Sequence, residues 1–240
     1  MPCILHIETT TAACSVALSQ DTQVIHTEED LTGRNHATLL GDFVKNALSF
    51  ADSHAIPVDA IAVSGGPGSY TGLRIGTSMA KGLVFGLGIP LIALSTLRVL
   101  ATPVLLYHEK LPDDVLLCPM LDARRMEVYS AIYDHALTEI RPTGADVVTL
   151  ELYKPYLDKQ PICFFGSGAE KCKSILTHPN ALFLDNIIPH ARYMQPLAEI
   201  AFRNNDFADA AYYEPHYLKE FVAGKSRDLL KETRNHNSTT

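Results

Sequence analysis

The sequence predicts an α/β protein built as two similar lobes. Three observations carry that expectation. Each half of the chain opens on apolar strands in hairpin order and then alternates strand with helix. The segments read as helices repeat apolar residues at i, i+3, i+4 and i+7, whereas the segments read as strands are short apolar runs bounded by turn residues. A polar stretch, "HEKLPDD" at 108–114, separates the two halves. No repeat between the halves is visible at the level of sequence identity.

Residues 3–8, "CILHIE", read as a buried strand, with further strands over "CSVALS" (14–19) and "TQVIHTEE" (22–29). The connection "TTTAA" is short and polar, which makes the first two strands a hairpin. A helix follows over about 36–51, with Leu40, Phe43, Val44, Ala47, Leu48 and Ala51 as its apolar stripe. "DAIAVSG" (59–65) is a strand, 71–85 a helix ended by Gly88 and Pro90, and "PLIAL" (90–94) a strand. Ser95 is placed to cap a further helix toward Tyr107. In the second half, 115–123, 127–135 and roughly 137–149 read as strands. "ICFFGSG" (162–168) reads as a strand entering a glycine turn, 169–176 as a helix, 181–184 as a strand and 195–208 as a helix.

The bulk composition narrows the function classes. The chain has 240 residues, 47% apolar and 20% charged, with no tryptophan, which is ordinary for a soluble globular protein. Its net charge of −7 argues against unaided binding of nucleic acid, because that affinity comes from lysine and arginine displacing counterions. Five cysteines without a CxxC spacing read as reduced, buried thiols in a cytoplasmic protein. The start, "MPCILHIETTT", lacks the basic head of a signal peptide. The longest uncharged run, Gly82 to Leu97, is shorter than a membrane span and is broken by Gly88 and Pro90, so no membrane association is expected. The Asn237-Ser238-Thr239 sequon would matter only in a secreted protein and is discounted.

The stretch from Gly65 to Gly82, "GGPGSYTGLRIGTSMAKG", invites a phosphate-loop reading and does not meet its spacing. A Walker A loop needs GxxxxGK[ST], but the lysine here precedes its glycine, as Lys81-Gly82. A dinucleotide fingerprint needs a third glycine where Thr71 stands, and no GxSxG nucleophile elbow is present. A tight strand-to-helix turn explains the loop glycines. Within the helix, Gly72, Gly76 and Ala80 share one face at i, i+4 and i+8, and Gly82 and Gly86 repeat the spacing. Each helix-interior glycine costs about 1 kcal/mol relative to alanine, so something packs close to this backbone. That neighbour is either another element of the same lobe or another subunit. Arg74 sits near the helix start, where a cation opposes the dipole, and so faces a partner or an anion.

The segments "ILHIETTTAACSVALS" (4–19), "SGGPGSYTGLRIGTSMAKGLVFGLGIPLIALSTL" (64–97) and "PMLDARRMEVYSAIY" (119–133) resemble the TsaB family, also called YeaZ. "YYEPHYLKEF" (212–221) resembles that family's closing segment. The resemblance implies a two-lobed actin/sugar-kinase/Hsp70-like (ASKHA) fold, each lobe a mixed sheet flanked by helices. Lobes are expected over 1–107 and 108–224, the last helix packing back on the first lobe, followed by a polar, disordered tail over 225–240. The resemblance further implies a non-catalytic paralogue of TsaD, the subunit that transfers a threonylcarbamoyl group to adenosine 37 of tRNAs reading ANN codons. Such a subunit binds and activates the TsaD-like transferase, works with a TsaE-like ATPase, forms a homodimer when alone and meets tRNA only indirectly through the complex. The expected partner interface is Leu40, Phe43 and Ala47 on one helix with Tyr70, Gly72, Arg74, Gly76 and Ala80 on the other.

The same comparison limits the chemistry. The catalytic paralogue holds a metal through two helix-borne histidines at i, i+4. The corresponding segment here, "ALSTLRVLA" (93–101), has none, and no two of the ten histidines lie within four residues of each other. No metal site and no catalytic residue is therefore expected, and His36 reads as a surface or capping residue. In the actin-like fold the first hairpin carries phosphate. Here that hairpin offers Glu8 with Thr9, Thr10 and Thr11 but no glycine, while Gly166 and Gly168 stand where an adenosine loop would be. Weak or vestigial ATP or ADP binding is the cofactor expectation these residues allow. Asp122, Arg124, Arg125 and Glu127 could do acid–base work or form a strand-end ion-pair cluster. The competing functions are an actin-fold ATPase or small-molecule kinase using Thr9–Thr11 and Gly166–Gly168, and a glycoprotease-like metallopeptidase.

Overall fold

Two five-stranded mixed sheets with the same strand order organise the chain, seen in a computed structural model that describes residues 2–33, 35–108 and 110–219. Residues 220–224 of the expected second lobe, and the expected tail over 225–240 with its sequon, lie outside the described residues. The first sheet contains β1 (Cys3–Glu8), β2 (Cys14–Gln20), β3 (Gln23–Asp30), β4 (Ala60–Ser64) and β5 (Leu91–Leu94), in the order β3-β2-β1-β4-β5. The second contains β6 (Leu116–Asp122), β7 (Glu127–Tyr133), β8 (Glu139–Val147), β9 (Ile162–Phe165) and β10 (Ala181–Leu184). Read from β8, its order β8-β7-β6-β9-β10 repeats the first. In each, the first three strands pair antiparallel and the last two add in parallel. This is the two-lobed actin/sugar-kinase/Hsp70-like (ASKHA) fold.

Side-chain alternation along β1 divides the first lobe's core. Leu5 and Ile7 point to the face covered by α1 (His36–Ser53) and α2 (Tyr70–Leu87), meeting Leu40, Val44, Ala47, Ala80 and Val84. Ile4 points the other way, with Ala17, Ala62 and Ile92, onto Val99 and onto Ala191, Met194, Ala198 and Ala201. The last four belong to a 3₁₀ turn (Ala191–Met194) and α5 (Gln195–Arg203), which follow the second sheet in sequence but pack on the first. The helix α3 (Thr96–Tyr107) lies between the sheets, burying Leu97, Leu100 and Val104 against Leu117, Leu121, Tyr133 and Phe165. The outer face of the second sheet is closed by α4 (Leu150–Leu157), whose Tyr153 and Leu157 are fully buried beside Phe164. All five cysteines are free and buried, and burial pushes the Cys163 thiol up to about 12, which keeps it unreactive.

Three elements differ from the sequence reading. The helix expected over 169–176 is a single 3₁₀ turn, Glu170–Cys172. Pro179 disfavours helical backbone at His178 and so bounds the segment on its C-terminal side. The helix expected over 195–208 ends at Arg203, and Asn205 turns the chain with φ 53°. Finally, α4 has no counterpart in that reading. It is eight residues long and carries Pro155, so its apolar pattern is short, although Thr149 caps it by accepting the Leu152 amide at 3.3 Å.

His6 lies on the α5 side of β1, fully buried, with Nε2 on the Ser19 hydroxyl at 2.7 Å and Nδ1 unpartnered. Burial lowers its pKa from 6.5 to about 3. The unfolded chain therefore binds a proton that the folded chain refuses between these two values. The stability contribution is complete above pH 6.5 and is lost as pH falls through the window. Glu8 acts in the opposite sense, since burial raises its pKa, and its effect cancels on comparing variants that keep it. Between pH 7 and pH 5 the wild type should lose about 2 kcal/mol more unfolding free energy than His6→Gln. Urea titrations at the two pH values measure this, and equal losses would refute it.

Candidate functional site

The conspicuous surface of the first lobe is built by α2 and by what holds it in place. Ser69 caps the helix, accepting the Gly72 amide at 3.3 Å, and Gly88, left-handed with φ 67°, ends it. Two hydrogen bonds seat the β1–β2 hairpin on its first turns. The Ser69 amide donates to the Thr10 carbonyl at 2.7 Å, and the Thr9 hydroxyl donates to the Gly72 carbonyl at 2.8 Å. A β-carbon on Gly72 would collide with the Thr9 carbonyl oxygen, and one on Gly76 with the Thr9 hydroxyl. The glycine face that the sequence offered to a partner therefore belongs to the chain's own hairpin. Gly72, Gly76 and Ala80 are buried there, and on α1 Leu40 and Ala47 are buried in the same core with Phe43 packed against it. Of the eight residues expected at an interface, Arg74 is exposed and Tyr70 half-buried.

The opposite side of the helix pair is open. Ala37 of α1 and Arg74, Ile75, Ser78, Met79 and Leu83 of α2 line a shallow, largely apolar groove of about 550 Å³, to which Gly82 also contributes. Ser78, Gly82 and Gly86 follow one another at i, i+4 and i+8, all exposed, and nothing lies within 4 Å of where a β-carbon on either glycine would stand. Phe85, beside them, is 93% exposed. Exposed apolar surface joined to bare helix backbone marks an interaction face. Sequence reasoning had the spacing that reveals it, in Gly82 and Gly86, but gave the weight to Gly72 and Gly76.

The residues considered for nucleotide binding are used inside the chain. Glu8 is fully buried and accepts from the Thr10 amide at 2.6 Å and from the Thr10 hydroxyl, leaving its Oε2 without a partner. Thr9 is committed to Gly72, and the Thr11 hydroxyl accepts the Ala13 amide at 3.3 Å. Gly166, with φ 99°, lies under the Met120 carbonyl and Leu100, and Gly168 lies against Val128 and Leu121. Neither group lines the α1–α2 groove or the cleft between the lobes. No histidine occurs in α3, and among the described residues no three His, Cys, Asp or Glu side chains gather as a metal site would require. His36 stands at the start of α1 with its ring nitrogen 3.2 Å from the Ala13 carbonyl.

Between the lobes, a cleft of about 420 Å³ is lined by Gly65, Gly66, Ser95, Glu139, Tyr213 and His216, among others. Its outer wall is the closing segment, residues 207–219. The Ala208 amide bonds to the Leu91 carbonyl at 2.8 Å, Lys81 donates to the Ala211 and Tyr213 carbonyls, and the His216 amide bonds to the Gly65 carbonyl at 2.7 Å. A β-carbon at Gly65 would strike the Tyr213 hydroxyl. The Tyr217 ring then meets Tyr70 at 5.0 Å, and Lys219 reaches Glu127 of the second lobe. The charged group at the β6–β7 turn is not the ion-pair cluster that the sequence suggested. Asp122 pairs with Lys171 and Glu127 with Lys219, so the carboxylates take lysines from elsewhere in the chain and not the adjacent arginines.

A family model described as TsaD, tRNA N6-adenosine threonylcarbamoyltransferase, matches residues 22–221. The tRNA threonylcarbamoyladenosine biosynthesis protein TsaB of Bacillus subtilis is 30% identical over 222 residues, covering 90% of this chain and 93% of its own. The protein of the same description from Escherichia coli is 30% identical over 228 residues, covering 92% and 96%. Among solved structures, YeaZ from Pseudomonas aeruginosa superimposes with a TM-score of 0.75 at 28% identity, covering 91% of this chain and all of that one.

The two faces of α2 respond oppositely to one methyl group. Gly72→Ala forces the Thr9 carbonyl away and should destabilise the protein by about 2–3 kcal/mol. Gly86→Ala meets open space and should stabilise it by up to about 1 kcal/mol through helix propensity. Denaturant unfolding of the two variants measures both, and similar changes in each would disprove the assigned packing.

Proposed function

Because this chain belongs to the TsaB family of tRNA threonylcarbamoyladenosine biosynthesis proteins, we propose that it is the non-catalytic subunit that docks on a TsaD-like transferase and activates it. Its role lies in making N6-threonylcarbamoyladenosine, and on this reading the modified nucleotide is adenosine 37 of tRNAs reading ANN codons. The observation that carries the reading is the open α1–α2 groove, with Ser78, Gly82 and Gly86 exposing helix backbone beside Phe85. Small residues let a second helix approach closely, and a paralogue with the same sheet order would present an equivalent helix pair.

The same groove serves a homodimer when the chain is alone. An isologous contact would use one patch on both copies. Homodimer and heterodimer then compete, and activation includes the exchange of one for the other. A TsaE-like ATPase joins the heterodimer. On this reading the first lobe runs to residue 107, the residue at which α3 ends, and the second begins at 108. The chain works in the cytoplasm, consistent with five unpaired cysteines, and among the described residues no helix is long and apolar enough to cross a membrane. The internal commitment of Thr9 and Thr10 favours a hairpin that positions α2 over one that grips phosphate.

Ser78→Arg combined with Gly82→Arg places two long cations in the groove without touching the core. Association with the TsaD-like partner should weaken at least about 100-fold, equivalent to about 2.7 kcal/mol. Formation of the modified nucleotide should fall in parallel, whereas Lys159→Ala in the other lobe should change neither. Light scattering after gel filtration and a tRNA modification assay read the two effects. Undiminished association of the double variant would reject the docking face.

A further inference from the structure

The β6–β7 turn has features the docking face leaves unexplained. Ala123 and Glu127 close a three-residue loop, the Ala123 amide bonding to the Glu127 carbonyl at 3.1 Å. Arg124 and Arg125 within it are both left-handed, with φ 69° and 51°. A side chain with a β-carbon disfavours that backbone, and glycine or asparagine is the usual occupant. The loop is nevertheless firmly held. Lys171 donates to the Arg125 and Glu127 carbonyls at 2.8 and 2.7 Å, the Val148 amide bonds to the Met126 carbonyl at 3.1 Å, and the Asp122 carboxylate accepts the Arg124 amide at 3.0 Å.

The electrostatic accounting is equally unusual. The two flanking carboxylates are neutralised by Lys171 and Lys219. Both arginines are exposed, and neither guanidinium has a hydrogen bond or ion pair among the described residues. In a chain of net charge −7, two adjacent, unpaired guanidinium groups carried on a firmly held turn form a local cationic site.

The closing segment joins this turn to the start of α2. Tyr217 lies against Tyr70 and, two residues on, Lys219 reaches Glu127, a step of about 7 Å of extended chain. Arg74 lies over the Tyr70 ring at 5.5 Å, and Lys219 lies over Tyr129 at 6.0 Å. Arg74, Tyr70, Tyr217, Tyr129, Arg124 and Arg125 thus lie along one strip, three tyrosine rings with arginines at its two ends, that reaches across both lobes. Guanidinium forks bind phosphate and tyrosine rings stack on bases, so the strip suits RNA, which offers both groups along one strand.

We infer that Arg124 and Arg125, with the tyrosine strip beside them, contact the phosphodiester backbone of tRNA directly once the chain is in its complex. This rests on the proposed role as a transferase subunit and extends it, because tRNA then touches this chain as well as its partner. The turn is separate in sequence from the α1–α2 groove, and Arg74 alone belongs to both.

The test uses the complex with the TsaD-like transferase and an unmodified tRNA transcript. Arg124→Gly with Arg125→Gly removes both charges while suiting the left-handed backbone. This variant should melt no lower than the wild type and should form the heterodimer normally. Its tRNA affinity, followed by fluorescence anisotropy, should fall at least tenfold. The plot of log affinity against log salt should become shallower by about 1.4 to 1.8, the loss of two phosphate contacts. Arg124→Lys with Arg125→Lys should keep the wild-type slope. Wild-type affinity and slope in the glycine variant would overturn the inference, as would loss of heterodimer with tRNA affinity intact, which would assign the turn to an acidic protein surface. A wild-type complex that fails to form or to modify tRNA counts against the proposed function. A working wild-type complex with an indifferent glycine variant counts against this inference alone.

Discussion

The contact between Thr9 and the glycines of α2 sets the geometry on which the first lobe depends. Main chain meets main chain at Gly72, and the Thr9 hydroxyl fits against Gly76, because neither glycine carries a β-carbon. The helix therefore lies close on the hairpin instead of standing off by the width of two side chains. Two hydrogen bonds, Ser69 amide to Thr10 carbonyl and Thr9 hydroxyl to Gly72 carbonyl, fix its register. The outer face of the helix, with Ser78, Gly82 and Gly86, is presented at an angle that this inner contact dictates. One helix is thus small on two sides, the inner packed on its own hairpin and the outer left open.

The duplicated strand order makes the differences between the lobes informative. Both sheets begin with an antiparallel hairpin followed by a parallel extension. In the first lobe the hairpin connection is drawn inward and its Thr9 and Thr10 side chains are consumed by internal hydrogen bonds. In the second, the corresponding connection projects outward with left-handed arginines at its tip. A backbone conformation unfavourable to its residues persists only when the surroundings over-determine it. Lys171 and the Val148 amide supply that constraint here. Identical topology therefore supports a structural turn in one lobe and an exposed, charged one in the other.

Much of this fold was legible in the sequence because it is locally encoded. Apolar runs and the polar connection after Glu8 located the first hairpin, and apolar periodicity with Gly88 and Pro90 bounded α2. What lies opposite a helix face is not locally encoded. Spacing at i and i+4 showed that Gly72, Gly76 and Ala80 share a face needing close contact, but Thr9, 63 residues away from Gly72, was the neighbour. The Asp122 carboxylate likewise finds Lys171 at a separation of 49 residues, where a reading confined to "LDARRMEVY" would pair it with an arginine. The helix α4 escaped because eight residues containing Pro155 carry too little periodicity to compete with the strand before them. Left-handed backbone at Arg124 and Arg125 contradicts their residue types, so no pattern could announce it.

The return of α5 to the first sheet bears on how the protein matures during synthesis. Ile4, Ala17 and Ala62 are covered by Ala191, Met194, Ala198 and Ala201, which leave the ribosome only after the whole second sheet has been made. A chain elongating at roughly 5–20 residues per second holds that apolar face open for on the order of ten seconds or more. Residues 116–184, which contain every strand of the second sheet, are contiguous and wait for no later segment to complete their hydrogen bonding. The lobe begun first is thus finished last. During that interval α3, through Val99, is the helix available to that face, a partial covering that arises from connectivity alone and leaves no trace in the finished structure.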